Sequence, residues 1–318
     1  MSAAPVWPHV ASLLVAAALA AMGGEWFVRG VVGTAARWRL SELLVAMTVA
    51  ACATSAPELM VSVIASSDGN SALAMGDALG SNVTNILLIL GLSLLFGSLA
   101  VSAGALRWHL AGAFAAPLLT GALLADGFLS RWDGAILLLL FCAWLAATVL
   151  AIRRTKVPVN GASRPPCDLG PVAIAASLVG GMVFLALAGR LFANGGRALA
   201  SVLGLPDAVV GATMVALGTS MPELVTTLVS RWRGHHDVGV GTLLGSNLFN
   251  GLAILGTAAL ITPVRAAWRP ASVVLLFGVL AILLVIPRRQ SLPPQRGMVM
   301  LGCYVLYVMA LGLTGGLE

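Results

Sequence analysis

Apolar runs long enough to cross a lipid bilayer recur along the whole chain, each closed by a charge or by a Gly/Pro cluster. A transmembrane helix needs about 20 predominantly apolar residues. The pattern predicts about ten such helices, near 9–30, 41–67, 72–97, 107–125, 134–152, 168–193, 206–230, 237–262, 270–287 and 297–315. The runs are continuous rather than alternating, which excludes a membrane barrel. The longest polar gap, 153–167, reads as a linker between a first half, 1–152, and a second half, 168–318, of five helices each.

Composition agrees with a lipid solvent. Apolar residues make up 59% of the chain and charged residues only 9%, against about 25% charged in a soluble domain. Soluble enzymes and disordered chains are excluded on that ground. The net charge of +6 is not concentrated on any one face, so the bilayer is the expected partner and nucleic acid is not. Cys52, Cys142, Cys167 and Cys303 are far apart and suggest neither a disulfide framework nor a zinc site. The N-terminus lacks a basic segment ahead of its first apolar run, so that run reads as a retained span rather than a signal peptide. With ten spans, 13 of the 18 Lys and Arg residues fall on one side. The positive-inside rule makes that side, with the 153–167 linker, cytoplasmic and puts both termini outside.

Two motifs occur twice. Thr54-Ser55-Ala56-Pro57-Glu58-Leu59 matches Thr219-Ser220-Met221-Pro222-Glu223-Leu224, and Gly80-Ser81-Asn82-Val83-Thr84-Asn85 matches Gly245-Ser246-Asn247-Leu248-Phe249-Asn250. Both pairs are 165 residues apart, as are Glu42 and Asp207. The repeats span about 41–95 and 206–260. An odd number of spans per half turns the second half over relative to the first. The expected fold class is therefore an all-α membrane protein of about ten transmembrane helices in two inverted-topology five-helix repeats. Secondary transporters are commonly built this way, with substrate sites near the midplane at the repeat interface.

The repeated residues have a chemistry in common. Glu58 and Glu223 lie deep in apolar spans, where an ionisable group costs about 2.5–3.5 kcal/mol on insertion scales and marks a functional site by default. Each follows a proline that removes an N–H and crowds the carbonyl four residues earlier, Ala53 or Gly218. The helix should loosen there, and irregular backbone at membrane depth belongs beside a cavity or inside protein. Carboxylates, hydroxyls and freed carbonyls are oxygen ligands, which hard cations prefer. Ser81 and Asn85, and Ser246 and Asn250, are spaced i, i+4 and so share a helical face. Gly80 and Gly245 should let that face come close to a neighbour.

The two motifs, each present twice, resemble those of the cation/calcium exchanger family, and in particular of its sodium/calcium exchangers. The resemblance is strongest over about 25–95 and 190–260. It implies a secondary antiporter exchanging Na⁺ for Ca²⁺ by alternating access, in the plasma (cell inner) membrane. It implies no cofactor beyond the transported ions, no obligatory protein partner and no enzymatic activity. The implied ligands are Ala51 by its carbonyl, Thr54, Ser55, Glu58, Ser81 and Asn85, with Ala216, Thr219, Ser220, Glu223, Ser246 and Asn250 in the second repeat. Ala53 departs from the motif's usual glycine, which Gly218 keeps. Relatives that co-transport potassium carry Asp at one of the two Asn positions; Asn85 and Asn250 therefore imply potassium independence.

Three further features are read from position alone. Asp77, one turn before Ser81, reads as a solvated helix end, with a vestibule carboxylate as the alternative. Glu25 and Arg190, 165 apart, either pair or flank a gate. His235-His236-Asp237 reads as a solvated turn rather than a metal site. The rival functions are a proton-coupled Ca²⁺ antiporter of the same fold and, further off, a cation channel. The repeated motifs hold no His and no Ser/Lys dyad, which speaks against an intramembrane enzyme.

Overall fold

The structure, a computed structural model, describes residues 7–100, 103–154, 169–202, 216–266, 268–286 and 291–315. Its helices in the first half are α1 (Trp7–Arg37), α2 (Glu42–Thr54), α3 (Ala56–Ser67), α4 (Ser71–Val83, continuing through Thr84–Leu90 and Gly91–Leu95), α5 (Ala103–Leu123) and α6 (Arg131–Arg154). The second half has α7 (Pro171–Val202), α8 (Ala216–Thr219), α9 (Met221–Trp232), α10 (His236–Leu248, continuing through Phe249–Ile254 and Leu255–Ile261), α11 (Trp268–Val285) and α12 (Pro294–Gly315). Among the described residues seven helices are long and apolar enough to cross a membrane, and α2 with α3 forms a pair bent by 43°. The chain is an all-helical integral membrane protein.

Several boundaries differ from expectation, and helix α1 runs on to Arg37 rather than ending near 30. Helix α6 runs through Arg154, so the presumed linker begins as helix, and α7 extends to Val202. The rest of that linker, Cys167, and the predicted start of the seventh span with Asp207 lie outside the described residues.

Proline explains the breaks. Ser55 (φ −86°, ψ 8°) and Ser220 (φ −86°, ψ 12°) interrupt their helices, which restart with Pro57 and Pro222 in the first turn. A proline has no N–H to return to the carbonyl four residues back, and its fixed φ suits the start of a helix. The expected loosening thus takes the form of a one-residue break just before the proline. The 165-residue offset carries into three dimensions. Helices α3 and α9 start and stop at equivalent positions, as do Ser71–Val83 and His236–Leu248. Gly69 and Gly234 take the same left-handed turn, at φ 81° and 79°. Thr84–Leu90 and Phe249–Ile254 are both wound as π-turns, a local unwinding frequent at functional sites.

Helices α4 and α10 form the centre. In each, 78% of the most apolar stretch is buried, against 28% in α1, α6 and α7, whose remaining surface faces outward. Leu79, Ile86, Leu90, Leu244, Leu248 and Leu255 belong to the core they share. Lipid tails are as apolar as leucine, so helices associate through close packing at small residues. Helices α1 and α7 accordingly pack along each other through Gly23, Gly30 and Gly181. Two short antiparallel strand pairs, a departure from a purely helical reading, tie the halves reciprocally. β1 (Leu99–Ala100) meets β4 (Ser291–Leu292), and β2 (Phe128–Leu129) meets β3 (Val264–Arg265).

Candidate cation site

The breaks bring the repeated motifs of the two halves together beside α4 and α10. Glu58 and Glu223 have no exposed surface. Glu223 is held from both repeats: Ser55 Oγ donates to its Oε1 at 3.2 Å and Ser246 Oγ at 3.1 Å. The Thr54 and Ser246 hydroxyls meet at 3.3 Å. Helix α10 comes this close because Gly245 has no side chain; a Cβ there would lie 2.6 Å from the Ala51 Cβ. Gly80, its counterpart, faces the Tyr307 hydroxyl at 3.4 Å instead, so the expected close approach occurs in one repeat only.

Glu58 is not so held. Both its carboxylate oxygens are buried without a hydrogen-bond partner, and so is the Ser220 Oγ, the counterpart of the Ser55 hydroxyl that holds Glu223. The two repeats are thus closed unequally around their glutamates. Asp77 stands on α4, which packs against α3, and its Oδ2 is buried with no donor among the described residues. The solvated-helix-end reading of Asp77 is therefore wrong. Its position within Ser71–Val83, one turn before Ser81, turns its carboxylate inward on a helix that packs against α3. Its counterpart Thr242 is buried and donates to the Val238 carbonyl of its own helix at 2.8 Å.

The remaining candidates are placed as follows. Asn85 Nδ2 donates to Asn247 Oδ1 at 3.1 Å, leaving the Asn85 Oδ1 buried and unpartnered. Asn250 is fully buried with neither amide atom partnered. Ser81 is buried, and Thr219 borders a cavity between α3 and α7. Ala216 opens α8. The Ala51 carbonyl accepts from Ser55 N at 3.0 Å and from Thr54 Oγ1 at 3.3 Å, so both of its lone pairs are engaged.

Sequence reasoning passed over Asn82 and Asn247, which lie inside the repeated motif. Asn82 Nδ2 donates to the Asn247 carbonyl at 3.0 Å, and Asn247 Nδ2 to the Asn82 carbonyl at 3.1 Å. This reciprocal clamp joins α4 to α10 at equivalent points of the two repeats. The matched offset was the signal that could have found it. Of the two readings of Glu25 on α1 and Arg190 on α7, the pairing is overturned, and the His-His-Asp turn is better anchored than expected. Glu25 does not pair with Arg190 but with Arg233, at 2.8 Å. His235 Nδ1 lies 3.0 Å from Glu42 Oε2, so the His-His-Asp turn is fastened to the start of α2 rather than merely solvated.

Fold and site together define a membrane protein of two structural repeats, with an oxygen-rich, carboxylate-bearing centre where the repeats meet. A family model described as "Sodium/calcium exchanger protein" matches residues 8–150 and 173–313, and the chain belongs to that family. It is 37% identical over 266 residues to the inner membrane protein YrbG of Escherichia coli, covering 80% of this chain and 81% of the relative. It is 33% identical to the putative antiporter CaxA of Alkalimonas amylolytica, covering 86% and 88%. Among solved structures, the sodium-calcium exchanger NCX_Mj, soaked with 2.5 mM Na⁺ and 0.1 mM Ca²⁺, superposes with a TM-score of 0.81 at 28% identity, covering 95% of this chain and 98% of that one.

Proposed function

We propose that the protein is a secondary antiporter exchanging Na⁺ for Ca²⁺ at one shared site, by alternating access. The observation that carries this reading is the pair of fully buried glutamates, one from each repeat. Glu223 accepts from serine hydroxyls of both repeats, and both oxygens of Glu58 have no donor of their own. A buried carboxylate without a hydrogen-bond donor is costly unless a cation compensates it. The proposed ligands are Thr54, Ser55, Glu58, Ser81 and Asn85 with Thr219, Ser220, Glu223, Ser246 and Asn250, together with the Ala216 carbonyl and the Ala51 carbonyl, which becomes available when Thr54 Oγ1 turns from it to the ion. No cofactor is required, because the ions are the cargo.

In this reading each half crosses the membrane five times and the halves are inverted relative to each other. The cytoplasmic face carries most of the Lys and Arg residues, both termini lie outside, and the membrane is the plasma (cell inner) membrane. Helices α1 and α7, which carry none of the proposed ligands and pack on each other, form the unit that slides past the core. The cavity bordered by α3, α7 and Thr219, about 520 Å³, is lined towards the C-terminal part of α7 by Arg190 and Asn194. That is the outer side in the proposed orientation.

The test is Ca²⁺ uptake into vesicles at fixed pH, with and without an outward Na⁺ gradient. Uptake that follows the Na⁺ gradient is expected. Uptake driven by a pH gradient and indifferent to Na⁺ would contradict the reading in favour of proton coupling. A second expectation concerns potassium. Asn85 and Asn250 are both neutral, so replacing K⁺ by choline on both sides should leave the exchange rate unchanged. A strict K⁺ requirement would contradict that assignment.

A further inference from the structure

The closure of the site on one side offers a template for closure on the other. Helix α1 lies against α9 at Gly24, where a Cβ would come within 2.5 Å of Val225 Cγ1 and 3.0 Å of Val229 Cγ2. The next residue, Glu25, reaches the end of α9 and pairs with Arg233 at 2.8 Å and 2.9 Å. Arg233 is the C-cap of α9, one turn beyond Val229, so the apolar contact and the ion pair lie on one face.

Each participant has a counterpart 165 residues away. Gly24 corresponds to Gly189 on α7 and Glu25 to Arg190. Val225 and Val229 correspond to Met60 and Ile64 on α3, and Arg233 to Asp68, the C-cap of α3, with nearly the same backbone angles (φ −80°, ψ 4° against φ −85°, ψ −2°). The charges are exchanged, yet the pair stays complementary: acid on α1 with base after α9, base on α7 with acid after α3. In the structure this second set is apart. Gly189 packs against the Gly218 carbonyl and Met221. Met60 and Ile64 are 59% and 55% exposed, and together with Arg190 they border the open cavity. Neither Asp68 nor Arg190 has a charged partner among the described residues.

We infer that Asp68 and Arg190 form the second of two alternating ion pairs. When α1 and α7 slide to close the α3 side, Gly189 seats on Met60 and Ile64 and Arg190 pairs with Asp68. The Glu25–Arg233 pair parts as Gly24 leaves Val225. Each pair latches one end state of the transport step, and neither touches the transported ion. Exposed ion pairs are weak. Such strength biases two states without freezing the protein in either, as a carrier that must visit both requires. The inference rests on the alternating-access reading of the preceding section.

The experiment is a charge exchange. Asp68→Arg or Arg190→Asp alone sets like charges opposite each other. Each should slow Na⁺-driven Ca²⁺ exchange by about three- to tenfold, and the double variant should recover most of the loss. A second readout follows the state rather than the activity. Ile64→Cys, in a chain whose native cysteines are replaced, should react faster with a water-soluble maleimide in either single variant than in the parent, and return to the parent rate in the double variant. Double variants that stay as slow as the singles, or labelling unchanged by the single reversals, would overturn the pairing. Labelling needs no ion coupling, so a protein that lacks Na⁺/Ca²⁺ exchange but shows the labelling pattern would refute the exchange reading and leave the latch standing.

Discussion

Glu58→Gln and Glu223→Gln are each expected to abolish Ca²⁺ exchange while leaving the protein inserted and folded. The carboxylates are fully buried and come from opposite repeats. Removing one partner of a buried charge pairing costs about 3–5 kcal/mol, so Ca²⁺ affinity should fall by at least about a hundredfold. Folding should survive for different reasons at the two positions. At 223 the amide keeps a carbonyl oxygen able to accept from Ser55 and Ser246, and at 58 there is no hydrogen bond to lose. Ca²⁺ uptake by reconstituted protein, beside a thermal melt of the same preparation, checks both halves of the expectation. Normal uptake by either variant would remove these glutamates from the site.

The second large effect is structural and unequal between the repeats. Asn247→Ala removes the bond to the Asn82 carbonyl and the acceptor that holds Asn85, whereas Asn82→Ala removes only the bond to the Asn247 carbonyl. A buried polar group left unpaired costs about 1–3 kcal/mol. Asn247→Ala should therefore lower the melting temperature more than Asn82→Ala does. It should also weaken Ca²⁺ binding, because it releases the Asn85 amide. Equal effects of the two substitutions on stability and on Ca²⁺ binding would show that the clamp is not the asymmetric one described here.

Much of this was legible in the sequence because the local rules agree. A proline beside an acidic residue in an apolar run marks a helix start at membrane depth, and Ser55 and Ser220 break where that rule puts the break. The shared 165-residue offset carried the cap residues and π-turns with it. What was not legible depends on how helices cross. The Asn82–Asn247 clamp needs the register of α4 against α10, which no spacing within one helix contains. Asp77 was misjudged because its position along α4 does not reveal which neighbour its face meets. The pairing of Glu25 with Arg233, rather than with its sequence counterpart Arg190, depends on how α1 crosses α9, which the 165-residue offset does not contain. The same holds for the unequal treatment of Glu58 and Glu223.

In the proposed mechanism Na⁺ and Ca²⁺ compete for oxygens shared between the repeats. Two glutamates balance one Ca²⁺ or two Na⁺, but not both loads together. Each ion must then weaken binding of the other by the same factor. The direct measurement is equilibrium Ca²⁺ binding to purified protein, titrated at several Na⁺ concentrations at constant ionic strength and pH. The Ca²⁺ dissociation constant is expected to rise with Na⁺, and more steeply than in simple proportion because more than one Na⁺ takes the place of each Ca²⁺. A Ca²⁺ affinity indifferent to Na⁺ would contradict it.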